Sequence, residues 1–115
     1  MICLYCNFLT FANKNQWIPE YIESLAKEIR ERAANFKDYE IETIYFGGGT
    51  PSLVDPLFIK KIIEECNVNF NVKKDPEISI ECNPESVDPE RLEIYKDAGV
   101  TRFSLGVQSL NKQTL

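Results

Sequence analysis

Residues 42–52 read ETIYFGGGTPS. β-Branched and aromatic residues occupy four of the first five positions, which predicts a short strand. The glycines at 47–49 follow directly, and glycine lets the backbone adopt positive φ and approach a ligand closely. The run is neither a Walker loop nor the dinucleotide fingerprint, because GxxxxGK[ST] and GxGxxG are both absent. It predicts a strand that ends in a ligand-approaching loop or, in the simpler interpretation, in a sharp turn.

Helices and strands alternate on both sides of this segment. We predict helices over residues 17–36, 56–66 and 89–98, and strands over residues 42–46, 77–82 and 101–108. Asp55 and Asp88 each precede a proline, which predicts a helix cap followed by a first-turn proline. This order is typical of parallel βα units. Three strands cannot close a barrel, so we expect a fragment cut at both ends; the alternative is a small complete α/β domain.

Composition and charge exclude several classes of protein. The chain has 115 residues, 13 basic and 18 acidic side chains, a net charge of −5 and no histidine. A single acidic domain without a basic run argues against a nucleic-acid partner. We find no apolar stretch long enough to span a membrane and no secretory signal, so we expect a cytoplasmic protein. The lack of histidine excludes Ser-His and Cys-His catalysis.

The predicted strands have two different faces, because side chains alternate along a strand. The bulky set, expected to pack under the helices, is Ile44, Phe46, Ile78, Ile80, Cys82, Phe103, Leu105 and Val107. The other face is small or polar, and it carries Glu81 and Gln108 at strand C-termini, where parallel α/β folds bind ligands. We expect Glu81 either to meet a polar or cationic ligand or to pair with an arginine or lysine in the missing part of the chain.

The cysteines divide into a close pair and two single residues. Cys3 and Cys6 form a C-x-x-C pair, which fits a redox pair, half of a zinc site or part of an iron–sulfur site. Cys66 and Cys82 fall on apolar faces, and we interpret both as small buried hydrophobic residues.

Four sequence blocks, in order, resemble those of radical S-adenosylmethionine (SAM) proteins of the coproporphyrinogen III dehydrogenase-like branch. They are CLYCNF at 3–8, ETIYFGGGTPS at 42–52, IECNP at 80–84 and LGVQS at 105–109. The resemblance implies an α/β fold, a partial (β/α)6 TIM-like barrel with parallel strands. Residues 1–115 would then be one incomplete core domain that lacks the first strand and the C-terminal half.

The resemblance also implies an iron–sulfur cluster. Cys3 and Cys6 would be two thiolate ligands of a [4Fe-4S] cluster, and the third cysteine of C-x-x-x-C-x-x-C would lie upstream of Met1. Tyr5 would contact the SAM adenine through its backbone. The cluster would pass one electron to SAM and generate a 5′-deoxyadenosyl radical, with the protein supplying orientation and shelter.

The implied SAM contacts lie at the polar strand ends. Gly48, Gly49 and Thr50 would hold the SAM amino group and methionyl end, and Glu81 and Gln108 would contact its amino-acid or ribose groups. For Glu81 and Gln108, the resemblance agrees with the strand-face argument made above.

Within this branch, the segment Tyr5-Cys6-Asn7-Phe8 resembles the HemW-type heme chaperones, which typically have Tyr-Cys-Asp-Phe there. This favours a protein that binds heme and transfers it to a partner protein. The alternative is an oxygen-independent coproporphyrinogen III oxidase, which decarboxylates propionates of a porphyrinogen, so the resemblance covers both an enzyme and a chaperone. More distant alternatives are a zinc-binding or a nucleotide-binding α/β module.

Overall fold

Helices and strands alternate along the chain, as the sequence predicts. The computed structural model describes residues 15–107 and 110–111. The helices are α1 (Ile18–Ala33), α2 (Pro56–Asn69) and α3 (Pro89–Ala98), and the strands are β1 (Glu40–Phe46), β2 (Asn71–Cys82) and β3 (Arg102–Leu105). The strands form one parallel sheet in the order β1-β2-β3. No helix within the described residues is long and apolar enough to cross a membrane.

Local sequence signals set the helix ends. The Asp55 carboxylate accepts the Leu57 N–H at 3.0 Å at the start of α2, and Asp88 accepts the Arg91 N–H at 2.8 Å at the start of α3. Each bond satisfies an amide that the first helical turn leaves unpaired. Gly99, with φ of 106°, ends α3 in the left-handed conformation that glycine adopts without strain.

The helices cover one face of the sheet. α2 and α3 pack on β2 around Ile63, Ile80 and Tyr95, while α1 packs on α2 around Ile22 and Ala26. The apolar strand side chains that meet these helices are Ile44, Phe46, Ile78, Ile80, Cys82 and Phe103. One-sided coverage is typical of a section of barrel wall, whereas a doubly wound sheet has helices on both faces.

β2 begins earlier than predicted because it contains a bulge. Ile41 of β1 pairs with Val72, but Thr43 pairs with Glu77, so residues 73–76 of β2 occupy the interval that Glu42 alone occupies on β1. Asp75 adopts a φ of 56°, and Pro76 has no N–H to donate to a neighbouring strand. Because the bulge breaks the two-residue alternation, the sequence pattern did not show that residues 71 and 72 also belong to β2.

β3 is shorter than predicted. The Val107 N–H donates to the Leu105 carbonyl at 3.1 Å, and this turn ends the strand. Leu105 and Val107 are 52% and 55% exposed, so the prediction that both pack under the helices was wrong. Val107 lies beyond the point where the backbone leaves the sheet, whereas Leu105 is the last residue of β3 and pairs with Cys82. Gln108 lies outside the described residues.

Candidate functional site

The C-terminal ends of β1 and β2 meet on the face of the sheet that the helices leave uncovered. β1 leads into the glycine loop, residues 47–50, and Glu81 lies near the end of β2. Glu81 pairs in register with Ser104 of β3, and Tyr45 of β1 pairs with Ser79 of β2. Parallel pairing therefore brings a carboxylate and the glycine loop together at one edge.

Two glycines give the loop its shape. Gly48 and Gly49 have φ of 78° and 51°, the left-handed region that disfavours residues with a Cβ. A Cβ built at either position would meet no atom of residues 15–107 or 110–111 within 4 Å, so the loop borders open space in this part of the chain. The predicted positive φ is confirmed at these two positions, and the space beside them can accept a ligand.

Glu81 is held from two sides. Its Oε2 accepts the Gly48 N–H at 3.2 Å, and its Oε1 accepts the Tyr45 hydroxyl hydrogen. Its hydrogen-bonding partners among the described residues are thus a phenol and a backbone amide, and no arginine or lysine. The bond to Glu81 raises the pKa of Tyr45, because ionising the phenol would remove the donor and set two negative charges together. Tyr45 is therefore a protonated donor at neutral pH.

A buried polar group braces the loop from behind. Ser52 is fully buried; its Oγ hydrogen-bonds to Ser86 Oγ and accepts the Asn83 N–H at 3.2 Å. The Arg91 Nη1 of α3 donates to the carbonyls of Ser52 at 3.0 Å and of Val54 at 3.2 Å. These bonds join the loop after β1 to the segment after β2. Both segments therefore support the space between the glycine loop and Glu81, which we call the mouth.

An apolar cavity of about 640 Å³ lies between α1, β1 and α2. Its lining includes Ile18, Leu25, Phe46 and Ile62, and it reaches Gly48 at one end. Glu81 does not line it. A charged ligand group therefore belongs on the Glu81 side of the loop, because the apolar side offers it no counter-charge.

Cys66 and Cys82 behave as apolar side chains. Cys82 is 5% exposed within the core under β2, and Cys66 is half-buried beside the α1–α2 contact. Burial raises the pKa of both thiols, as expected for cysteines in apolar surroundings. Within residues 15–107 and 110–111, no group of three or more Cys, His, Asp or Glu side chains could hold a metal ion.

The predicted site residues fall into two groups. Gly48, Gly49, Thr50 and Glu81 lie at the same mouth, whereas Cys3, Tyr5, Cys6 and Gln108 lie outside the described residues. The sequence analysis missed Tyr45, Ser52 and Arg91. Strand alternation places Tyr45 on the Glu81 face, and this was the available signal. No local pattern indicates that Arg91 reaches the loop.

Comparison with models of known protein families identifies the superfamily of this chain. The model of the radical SAM superfamily matches residues 1–115. The chain belongs to the radical SAM superfamily. Members of this superfamily use a [4Fe-4S] cluster and SAM, as the resemblance implied.

Curated relatives of this radical SAM chain carry two different names. The heme chaperone HemW of Buchnera aphidicola subsp. Schizaphis graminum is 41% identical over 98% of this chain and 30% of its own length. The oxygen-independent coproporphyrinogen III oxidase of Salmonella typhimurium is 32% identical over 97% of this chain and 25% of its own length. The chain thus spans about three-tenths or less of the length of these relatives.

A solved structure has the same fold. Coproporphyrinogen III oxidase (HemN) from Escherichia coli, described as a radical SAM enzyme, matches with a TM-score of 0.82 and 30% identity. The match covers 94% of this chain and 25% of the HemN chain. The predicted fold class, part of a TIM-like radical SAM barrel with parallel strands, is confirmed.

Proposed function

We propose that the full-length protein binds SAM at the mouth beside Glu81 and acts as a HemW-type heme chaperone. The SAM-binding residues in this proposal are Tyr5, Gly48, Gly49, Thr50, Glu81 and Gln108. The observation that carries it is the contact between Glu81 and the Gly48 N–H, which joins a carboxylate to the open glycine loop. Residues 1–115 are, in this proposal, part of one radical SAM core domain.

The Glu81 carboxylate and the glycine loop fit the amino-acid end of SAM. A carboxylate has about four lone-pair positions, and Glu81 uses two of them for Tyr45 and Gly48. Each oxygen therefore keeps one position for a ligand ammonium, and such charge-assisted bonds are the stronger kind. The glycine loop has no Cβ in the way, so its backbone groups can contact the ligand directly.

Cys3 and Cys6 are proposed as two thiolate ligands of the [4Fe-4S] cluster. The assignment is supported by superfamily membership and by the C-x-x-C spacing. When bound, the cluster supplies the electron that cleaves SAM to a 5′-deoxyadenosyl radical. The residues of the chain bind and orient SAM and keep water away.

Replacing Glu81 tests the SAM site. In the full-length protein, Glu81→Gln removes the charge but keeps the shape, and we expect SAM binding to weaken by about 1–3 kcal/mol, as for a lost charged hydrogen bond. Calorimetry on the anaerobic protein measures this. Glu77→Gln is the matched control, because Glu77 lies on the same strand, is half-exposed and makes an exposed ion pair with Arg102 at 3.5 Å. Equal SAM affinity in all three proteins would make Glu81 a structural residue.

The heme-chaperone assignment has different support from the SAM site. It rests on the Tyr5-Cys6-Asn7-Phe8 segment and on the 41% identical HemW relative. The likeness to the HemN structure favours the alternative, a coproporphyrinogen III oxidase. We further propose that the protein is cytoplasmic and passes heme to an acceptor protein.

Two assays on the full-length anaerobic protein separate these functions. We expect added heme to bind and to transfer to an apo-hemoprotein acceptor, detected by the heme absorbance of each protein. We expect no carbon dioxide from coproporphyrinogen III when SAM and an electron donor are present. Carbon dioxide release without heme transfer would instead assign the oxidase function.

A further inference from the structure

The Tyr45 hydroxyl and the glycine loop together hold Glu81 in place. Its hydroxyl donates to Glu81 Oε1 while the Gly48 N–H donates to Oε2, so the carboxylate is fixed between a side chain and the loop. Tyr45 and Glu81 belong to adjacent strands and share the sheet face that the helices leave uncovered. Fixing a glutamate in this way removes rotamer freedom that ligand binding would otherwise have to remove.

The Tyr45 ring also explains the first glycine of the loop. A Cβ built on Gly47 would lie 2.5 Å from the Tyr45 Cε1, closer than real Cβ contacts. Gly47 is not among the residues with positive φ, so its lack of a Cβ makes room for the ring and does not serve the backbone conformation. Gly47 therefore accommodates the ring in the position from which its hydroxyl reaches Glu81.

Fold stability does not account for Tyr45. The side chain is 61% exposed and belongs to neither core cluster. Surface positions of this kind contribute little to the free energy of unfolding. Its hydroxyl bonds to Glu81 and its ring borders Gly47, both at the ligand mouth, and Tyr45 also lines the apolar cavity beside the loop.

We propose that Tyr45 is a positioning residue for the amino group of the bound ligand: it holds Glu81 against the glycine loop, so that the carboxylate faces the open space beside Gly48 and Gly49. This inference rests on the proposed SAM site. It adds a residue that acts through Glu81 rather than on the reacting atoms. The ring seated on Gly47 sets the position of the hydroxyl, and the hydroxyl sets the position of the carboxylate.

Two ligands distinguish positioning from a general loss of shape. SAM carries the amino group, whereas 5′-methylthioadenosine lacks the whole amino-acid part. In the full-length protein, Tyr45→Phe keeps the ring and loses the hydroxyl, so we expect the Kd for SAM to rise about fivefold, as for one net hydrogen bond. The Kd for 5′-methylthioadenosine should stay unchanged. Tyr39→Phe is the control, because Tyr39 is 62% exposed and directly precedes β1, at the end of the strand opposite the glycine loop.

A steric double-mutant cycle tests the contact between the ring and Gly47. Gly47→Ala should displace the Tyr45 ring and weaken SAM binding, because the added Cβ occupies the place of the ring. In a Tyr45→Ala background, the same Gly47→Ala change should have little further effect. This non-additivity is the sign of direct coupling between the two positions.

The outcomes separate the inference from the proposed function. If the wild-type protein binds SAM and Tyr45→Phe binds it equally well, the positioning role is wrong and the SAM site stands. Tighter SAM binding by Tyr45→Phe would also overturn it, since the phenol would then compete with the ligand for Glu81. Equal weakening of SAM and 5′-methylthioadenosine would indicate a loss of loop shape and overturn it as well. A wild-type protein that binds no SAM would overturn both proposals.

Discussion

The full-length protein carrying Cys6→Ala should lose nearly all of its iron–sulfur absorbance after anaerobic reconstitution with iron and sulfide. Iron–sulfur clusters are held by cysteine thiolates, and the C-x-x-C pair supplies two of them in our proposal. Removing one leaves an iron of the cluster without its thiolate ligand. Visible absorbance, together with iron and sulfide content per chain, measures the loss.

Cys66→Ala is the matched control for this experiment. The Cys66 thiol is half-buried on α2 beside α1, and burial raises its pKa, so it is a neutral side chain at working pH. We expect Cys66→Ala to retain the absorbance with a small loss of stability from the missing sulfur contact. Retention of the cluster in Cys6→Ala, or its loss in a folded Cys66→Ala protein, would contradict the ligand assignment.

Ile80→Ala should destabilise the full-length protein by about 2–5 kcal/mol, the usual cost of truncating a buried isoleucine. Ile80 is fully buried on the central strand, paired with Phe46 of β1 and Phe103 of β3. Its side chain lies in the core cluster that contains Ile63 and Tyr95, so truncation leaves a cavity among three elements. The urea midpoint followed by circular dichroism measures the change.

Val68→Ala provides the comparison for Ile80→Ala. Val68 is 82% exposed in the last turn of α2, and alanine has the higher helix propensity, so we expect a change close to zero or slightly stabilising. If the two variants shifted the urea midpoint equally, the assignment of Ile80 to the centre of the core would be wrong.

The strand ends illustrate how far local pattern extends. The glycines, the Asp-Pro caps and Gly99 fix helix and strand boundaries through contacts within a few residues, and these boundaries were predicted correctly. The start of β2 and the end of β3 were not, because a bulge at residues 73–76 and a turn at Gly106 depend on which backbone groups meet another strand. Pairing partners are distant in sequence, and side-chain type alone does not specify them.

The features of the mouth were likewise predicted from the sequence only in part. Alternation in β2 was enough to put Glu81 at a strand end on the polar face, and the glycines indicated either a ligand-approaching loop or a sharp turn. The sequence left open whether Glu81 pairs with a basic residue. Among the described residues, Glu81 bonds to Tyr45 and Gly48, which are 36 and 33 positions away.

The sequence by itself determined the βα order, the helix caps, the apolar face of the sheet and the positive-φ glycines, because each depends on short-range sterics or on the two-residue repeat of a strand. Only the tertiary structure established three contacts: the Tyr45–Glu81 hydrogen bond, the packing of the Tyr45 ring against Gly47 and the hydrogen bond from Arg91 to the Ser52 carbonyl. These depend on parallel register, which brings the ends of β1 and β2 side by side and sets the distances between side chains that the chain order separates.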